Sequence, residues 1–178
     1  MSGDLATDRD AARLRAAGIP AKEITTGSAC HLDADLVHRA LHDFPWQNLD
    51  VLFIENVGNL VCPAIYDLGQ AANIVVLSVT EGEDKPLKYP VMFRKADLVV
   101  LTKVDLLPHL PDVRVAALTD ALSRVMPSPA LLPVSARTGE GMDAFLDWLL
   151  ARVQPAPRLR KTPQVEAHPA HVAAVAPG

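Results

Sequence analysis

Several features that mark other classes of protein are scarce or missing in this chain. Aromatic residues make up 4% of its 178 residues, too few for the stacking platforms that bind single-stranded nucleic acid. Lys and Arg number 17 against 21 Asp and Glu, and this net charge of −4 argues against a nucleic-acid partner. The apolar runs are strand-sized, whereas a membrane-spanning helix needs about 18 residues or more. The N-terminal sequence MSGDLATDRDAARLR has no basic segment followed by an apolar one, so we expect no secretory signal.

Cysteine is also rare, since the chain holds only Cys30 and Cys62. Two cysteines do not make the disulfide framework of a small secreted domain. We expect a cytoplasmic protein in which they are free thiols or metal ligands.

The phosphate-binding motif G-x-x-x-x-G-K-[ST] does not occur. The only Lys-Thr pair, Lys161-Thr162, follows Arg160 rather than glycine. The motif supplies backbone N–H groups and a lysine for phosphates and a hydroxyl for Mg²⁺. We therefore expect this chain, by itself, not to hydrolyse a nucleoside triphosphate.

Short apolar runs alternate with segments of helical periodicity. This alternation predicts an α/β fold with a mostly parallel sheet and flanking helices. We predict one domain over residues 1–153 and a disordered tail rich in Pro and Ala over residues 154–178. The predicted strands are Ala21–Ile24, Val51–Ile54, Ile74–Val79, Asp97–Leu101 and a weaker Leu131–Val134; the predicted helices centre on Ala11–Ala17, Asp33–Phe44, Leu118–Val125 and Met142–Val153.

Two short motifs follow consecutive predicted strands, where ligands bind in parallel sheets. In Thr102-Lys103-Val104-Asp105, the carboxylate can accept hydrogen bonds from the ring N–H and the exocyclic amine of guanine, and the lysine stem can cover the purine. Ser135-Ala136-Arg137 can present a backbone N–H to the guanine oxygen. Either motif alone is more simply a solvated loop, but together they favour a guanine site.

Cys30-His31 lies in a loop before a predicted helix, and Cys62 lies in a later loop. Thiolate and imidazole suit Zn²⁺ or Ni²⁺. A lone cysteine is often small apolar filler, and this alternative is open for Cys62. One chain offers three such ligands, and a two-fold dimer would offer six.

Acidic residues are candidates for a magnesium site. Glu55 ends a predicted strand and precedes Gly58, an arrangement typical of a magnesium-dependent switch, although an incidental turn is an equal alternative. Asp10 is more simply a helix N-terminal acid that complements the dipole.

The segments TGSACHLDADLVHRAL, LFIENVGNLVCPAIYDLG, VVLSVTEGEDKPLKYPVMF, ADLVVLTKVDLLPH and SARTGEGM resemble the hydrogenase nickel-incorporation GTPases, the HypB family of maturation factors. The resemblance covers about residues 3–150. It implies a P-loop GTPase-like fold, a homodimer, and nickel delivery to nickel–iron hydrogenase together with other maturation proteins and the hydrogenase large subunit.

The resemblance also implies roles for particular residues. Asp10 and Glu55 take the catalytic positions near Mg²⁺. A further group forms the nucleotide-binding positions, with Thr102 in place of the commoner Asn. The nucleotide-binding set is Thr102, Lys103, Asp105, Ser135 and Ala136, and the metal set, for nickel or zinc, is Cys30, His31 and Cys62.

The chain departs from the family pattern at its start, because the family's first strand, P-loop and first helix have no counterpart. Residues 1–153 are therefore predicted to be a truncated GTPase-like α/β domain, with GTP hydrolysis lost. Two alternatives remain open: a non-enzymatic metal-binding and dimerising module, and a urease-type nickel GTPase. The urease-type motif is a contiguous Cys-Pro-His, whereas here Cys30-His31 and Cys62-Pro63 are separate.

Overall fold

The computed structural model describes residues 1–4, 9–27 and 29–153. The predicted tail, residues 154–178, lies outside the described residues. Parallel strands alternate with helices, as the periodicity predicts, and most bounds shift by only a few residues. The elements are β1 (Ser2–Asp4), α1 (Arg9–Ala16), β2 (Glu23–Thr25), α2 (Ala34–Leu41), a 3₁₀ turn (Trp46–Asn48), β3 (Ile74–Ser78), α3 (Lys85–Lys88), α4 (Pro90–Arg94), β4 (Leu98–Thr102), a second 3₁₀ turn (Val104–His109), α5 (Val115–Val125), β5 (Leu131–Pro133) and α6 (Met142–Leu150).

The strands of the described residues form two parallel sheets instead of one. Strands β3, β4 and β5 form a sheet with β4 in the middle, in which Val76 pairs with Val100 and Val100 with Leu132. Strands β1 and β2 form the other sheet. The chain thus has the predicted α/β class, but its parallel strands are divided between two sheets.

The segment predicted as a strand at Val51–Ile54 is extended but is not a regular strand. Its end pairs with β1, since Phe53 O accepts from the Met1 nitrogen at 2.7 Å and Glu55 N donates to Met1 O at 2.9 Å. The prediction assumed burial on both faces. Instead Val51 and Phe53 are exposed, while Leu52 and Ile54 pack on the N-terminal core.

Apolar side chains pack on both faces of β4, the central strand of the larger sheet. One face packs against α4 and α5, with Phe93, Val99 and Leu122 fully buried. The other face packs Leu98 and Val100 against residues of α6. Because β4 is covered on both sides, its carboxyl end is firmly held, and this end carries the predicted base-binding loop.

A third core cluster joins the N-terminal sheet to α2. Leu32 is fully buried, and a Cβ atom at Gly3 would lie 2.8 Å from Leu32 Cγ. Only glycine at position 3 lets Leu32 approach β1 this closely. This contact sets the loop before α2, which carries Cys30 and His31, against the end of the sheet.

Candidate metal and nucleotide site

The structure brings Cys30, His31 and Cys62 together. One ligand atom from each lies within 4.8 Å of the other two. The two Sγ atoms are 2.9 Å apart and share a hydrogen bond, although 32 residues separate them in sequence. Cys30 Sγ also lies 3.6 Å from His31 Nδ1. Two sulfur atoms and one imidazole nitrogen at this spacing fit a soft divalent ion such as Ni²⁺ or Zn²⁺.

The cluster is partly exposed to solvent. Cys30 is exposed and Cys62 is half-buried. The hydrogen bond with Cys30, the partial burial of the thiol and the charge of the neighbouring sulfur raise the pKa of Cys62. An ion that binds both sulfur atoms must therefore displace protons.

Two asparagines and a tyrosine that sequence reasoning missed surround the cluster. Asn59 and Asn56 hydrogen-bond the loop that carries Cys30 and His31. Tyr66 stacks on His31, with ring centroids 3.9 Å apart and an interplanar angle of 13°. The asparagine signal was available, because Asn in a loop caps the N–H groups two or three residues later. Tyr66 has no local signal, since only the fold brings its ring to His31.

The predicted base-binding residues lie together at the carboxyl end of β4. Ser135 is fully buried, and its Oγ donates to Asp105 Oδ1 at 2.6 Å. Thr138 N donates to the same Oγ at 3.2 Å. The hydroxyl of Thr102 donates to Leu77 O on the neighbouring strand at 3.3 Å. The side chain of Asp105 is therefore anchored to the loop that follows β5.

Lys103 and Ala136 flank this arrangement, and both are exposed. Lys103 has φ +61°, and within the described part of the chain it is the non-glycine residue with positive φ. A left-handed residue costs energy and is typical of turns and binding loops. It sharply redirects the backbone between β4 and Asp105.

Glu55 and Asp10 each have a local partner. Glu55 is exposed, and its Oε2 accepts from Ser2 Oγ at 2.9 Å. Asp10 lies in the first turn of α1 and is 3.7 Å from Arg13. These contacts do not distinguish a magnesium site from the simpler interpretations, which are an incidental turn for Glu55 and a helix N-terminal acid for Asp10.

None of the described helices has the length and apolar character to cross a membrane.

Comparison with known proteins gives a consistent result. The family described as CobW/HypB/UreG, nucleotide-binding domain, matches residues 2–130. Hydrogenase maturation factor HypB of Azotobacter chroococcum mcd 1 is 56% identical over 149 residues, covering 84% of this chain and 48% of the relative. HypB of Escherichia coli K12 is 52% identical, covering 84% and 51%. The chain therefore spans about half the length of these curated relatives.

Solved structures agree with the fold. The crystal structure of HypB from Helicobacter pylori in complex with nickel superposes with a TM-score of 0.79 at 41% identity, covering 87% of this chain and 75% of that one. HypB from Archaeoglobus fulgidus gives a TM-score of 0.76 at 36% identity, covering 86% and 76%. The chain therefore belongs to the CobW/HypB/UreG nucleotide-binding family and, within it, to the HypB hydrogenase maturation factors.

Proposed function

We propose that this chain is the metal-binding part of a GTP-dependent nickel chaperone for nickel–iron hydrogenase. The observation that carries the proposal is the cluster of Cys30, His31 and Cys62, with ligand atoms within 4.8 Å. A related HypB was solved in complex with nickel. Three protein ligands leave a tetrahedral ion one open position. An open position lets an ion pass to a partner protein, as a chaperone requires.

The same proposal includes a second copy of the chain. Three soft ligands do not close a structural zinc site, whereas a two-fold dimer would bring six to one interface. Homodimerisation, zinc as an alternative ion, a cytoplasmic location, and action with other maturation proteins on the hydrogenase large subunit are parts of the proposal.

We further propose that Asp105 selects guanine and that Asp10 and Glu55 approach Mg²⁺. The acceptor suits the base, because the Asp105 carboxylate is fixed by Ser135 and can accept hydrogen bonds from guanine. Thr102, Lys103 and Ala136 complete the base site. Hydrolysis of GTP with Mg²⁺ would release free energy and switch the protein between two nucleotide states.

The groups that usually hold the β- and γ-phosphates are not found in these 178 residues. The sequence contains no G-x-x-x-x-G-K-[ST], and phosphoryl transfer depends on such groups for positioning and charge stabilisation. For these 178 residues taken alone, this observation favours a second candidate function: a metal-binding and dimerising module without GTP turnover. Both candidates share the metal cluster.

Titration with Ni²⁺ and Zn²⁺, followed by calorimetry and light scattering, tests the proposal. The wild type should bind metal, and Cys30→Ala, Cys62→Ala and His31→Ala should each weaken binding at least tenfold. His109→Ala is the matched control, because His109 is an exposed histidine of the second 3₁₀ turn. A chain ending at Val153 shows whether His168 and His171 contribute. Undiminished binding in both cysteine variants, or loss only in the shortened chain, would refute the proposal.

A further inference from the structure

Asn59 bridges the two loops that carry the metal cluster. Its Nδ2 donates to the carbonyl oxygen of Cys30. Its Oδ1 accepts from Cys62 N at 3.0 Å and from Val61 N at 3.1 Å. One half-buried amide thus holds the backbone of both cysteines at once.

We propose that Asn59 is the positioning residue of the cluster: it sets the separation of the Cys30 and Cys62 backbones so that both sulfur atoms reach one ion. The role of this separation in metal binding rests on the proposed function. The separation itself does not, because it is a property of the metal-free chain.

Besides the stacking of Tyr66 on His31, side-chain hydrogen bonds hold the two loops together. Among the described residues, no backbone–backbone hydrogen bond joins residues 29–32 to residues 56–62. Asn56 adds one bridge, since its Oδ1 accepts from Leu32 N at 2.8 Å. That bridge reaches the first loop two residues after Cys30, and its Oδ1 also accepts from Val57 N at 2.9 Å, five residues before Cys62 in sequence, so it holds neither cysteine's own backbone. The hydrogen bond between the two thiols is not an independent link, because it is the arrangement that the positioning has to produce.

The chemistry of the amide explains why the residue is asparagine. Holding a carbonyl and two N–H groups requires a donor and an acceptor on one short side chain. Aspartate has nearly the same shape and keeps the acceptor, but it has no donor for Cys30 O. Asn59→Asp therefore releases the Cys30 loop alone, while Asn59→Ala releases both loops.

The rate of disulfide formation in the metal-free full chain tests the positioning directly. Oxidised glutathione, GSSG, takes the electrons: Cys30–SH + Cys62–SH + GSSG gives the Cys30–Cys62 disulfide and two GSH. The closing step depends on how often the two sulfur atoms meet. We expect Asn59→Ala and Asn59→Asp to slow it at least tenfold. The matched control Asn48→Ala, an exposed asparagine of the first 3₁₀ turn, should leave the rate unchanged.

Nickel titration of the same variants gives the second readout. Both Asn59 variants should bind Ni²⁺ at least fivefold more weakly and lose intensity in the thiolate-to-nickel charge-transfer bands, while circular dichroism remains that of the wild type. If Asn59→Ala does not fold, Asn59→Asp decides. A wild-type disulfide rate in a folded Asn59 variant overturns the inference. A slowed rate in a chain whose wild type binds no nickel leaves Asn59 as the positioning residue and refutes the proposed function instead.

Discussion

Ser135 Oγ donates to Asp105 Oδ1 at 2.6 Å, across 30 residues of sequence. The hydroxyl is fully buried and also accepts from Thr138 N. One serine therefore fixes the proposed base-selecting carboxylate and orders the loop after β5. This pair links the two short motifs that separately carried little information.

Replacing Ser135 with alanine should destabilise the protein. The change leaves the Thr138 N–H and the Asp105 carboxylate without their partner, at a cost of about 1–3 kcal/mol. Urea unfolding measures the difference. Ser123→Ala is the control, because the Ser123 hydroxyl is exposed and bonds only within its helix, to Asp120 O; it should change stability by less than about 0.5 kcal/mol. Equal effects of the two changes would contradict the anchoring role of Ser135.

Asp105→Asn should alter the choice of base. In a chain extended at its N-terminus with the phosphate-binding loop of a relative, an amide donor would face the donors of guanine. GTP should bind roughly ten- to a hundredfold more weakly, because the opposed donors are left unpaired, and xanthosine triphosphate should bind better. Competition against a fluorescent nucleotide measures both affinities. GTP binding that did not change would show that Asp105 does not contact the base.

The 178-residue chain by itself should release no phosphate from GTP above the uncatalysed background. The reason is the absence of the phosphate-binding motif, which supplies positioning and charge for transfer. Phosphate release at saturating GTP and Mg²⁺ is the measurement, with an intact HypB relative as the positive control. A rate equal to that of the relative would refute this expectation.

Glu81 should make part of the stability depend on pH. Burial raises the pKa of its carboxyl, but hydrogen bonds from Lys85 and Ser78 N and the charges of Lys85 and Lys103 outweigh burial and lower it. A lowered pKa stabilises the fold above the unfolded value of about 4.5, and this contribution disappears as pH falls through the lower folded value.

Glu81→Gln removes the charge and keeps an acceptor for Ser78 N. It should cost less than about 1 kcal/mol at neutral pH, because solvent screens partly exposed ion pairs. Urea unfolding as a function of pH should show the difference from wild type shrinking below about pH 4.5. A difference that grew as the pH fell would contradict the assignment.

Gly141→Ala should be strongly destabilising. The residue has φ +71°, and a Cβ atom there would lie 2.0 Å from Pro133 O. Left-handed strain and the backbone clash together should cost about 3 kcal/mol or more. Gly58→Ala is the control, since a Cβ there meets nothing within 4 Å. Thermal unfolding of both variants is the measurement, and similar melting temperatures would show that the loop before α6 adapts.

Local sequence pattern predicted most of the fold. The apolar runs at Ile74–Ser78 and Leu98–Thr102 are parallel strands, and the spacing of apolar residues around Leu118 marks a helix. The pattern was wrong at Val51–Ile54, where an apolar run is extended with Val51 and Phe53 exposed. An apolar run indicates extended structure, but the burial of each face depends on which segments pack there.

The sequence by itself determined the chemistry that is available: two thiols, an adjacent imidazole and a carboxylate after β4. Only the tertiary structure decided that Cys62 joins Cys30 rather than filling a core, that Asn59 ties the two loops, and that Ser135 holds Asp105. The physical reason is the difference in sequence distance over which the two kinds of interaction act. Residue types and periodicity act over a few neighbours, whereas contacts across about 30 residues depend on packing that closes long loops against their conformational entropy.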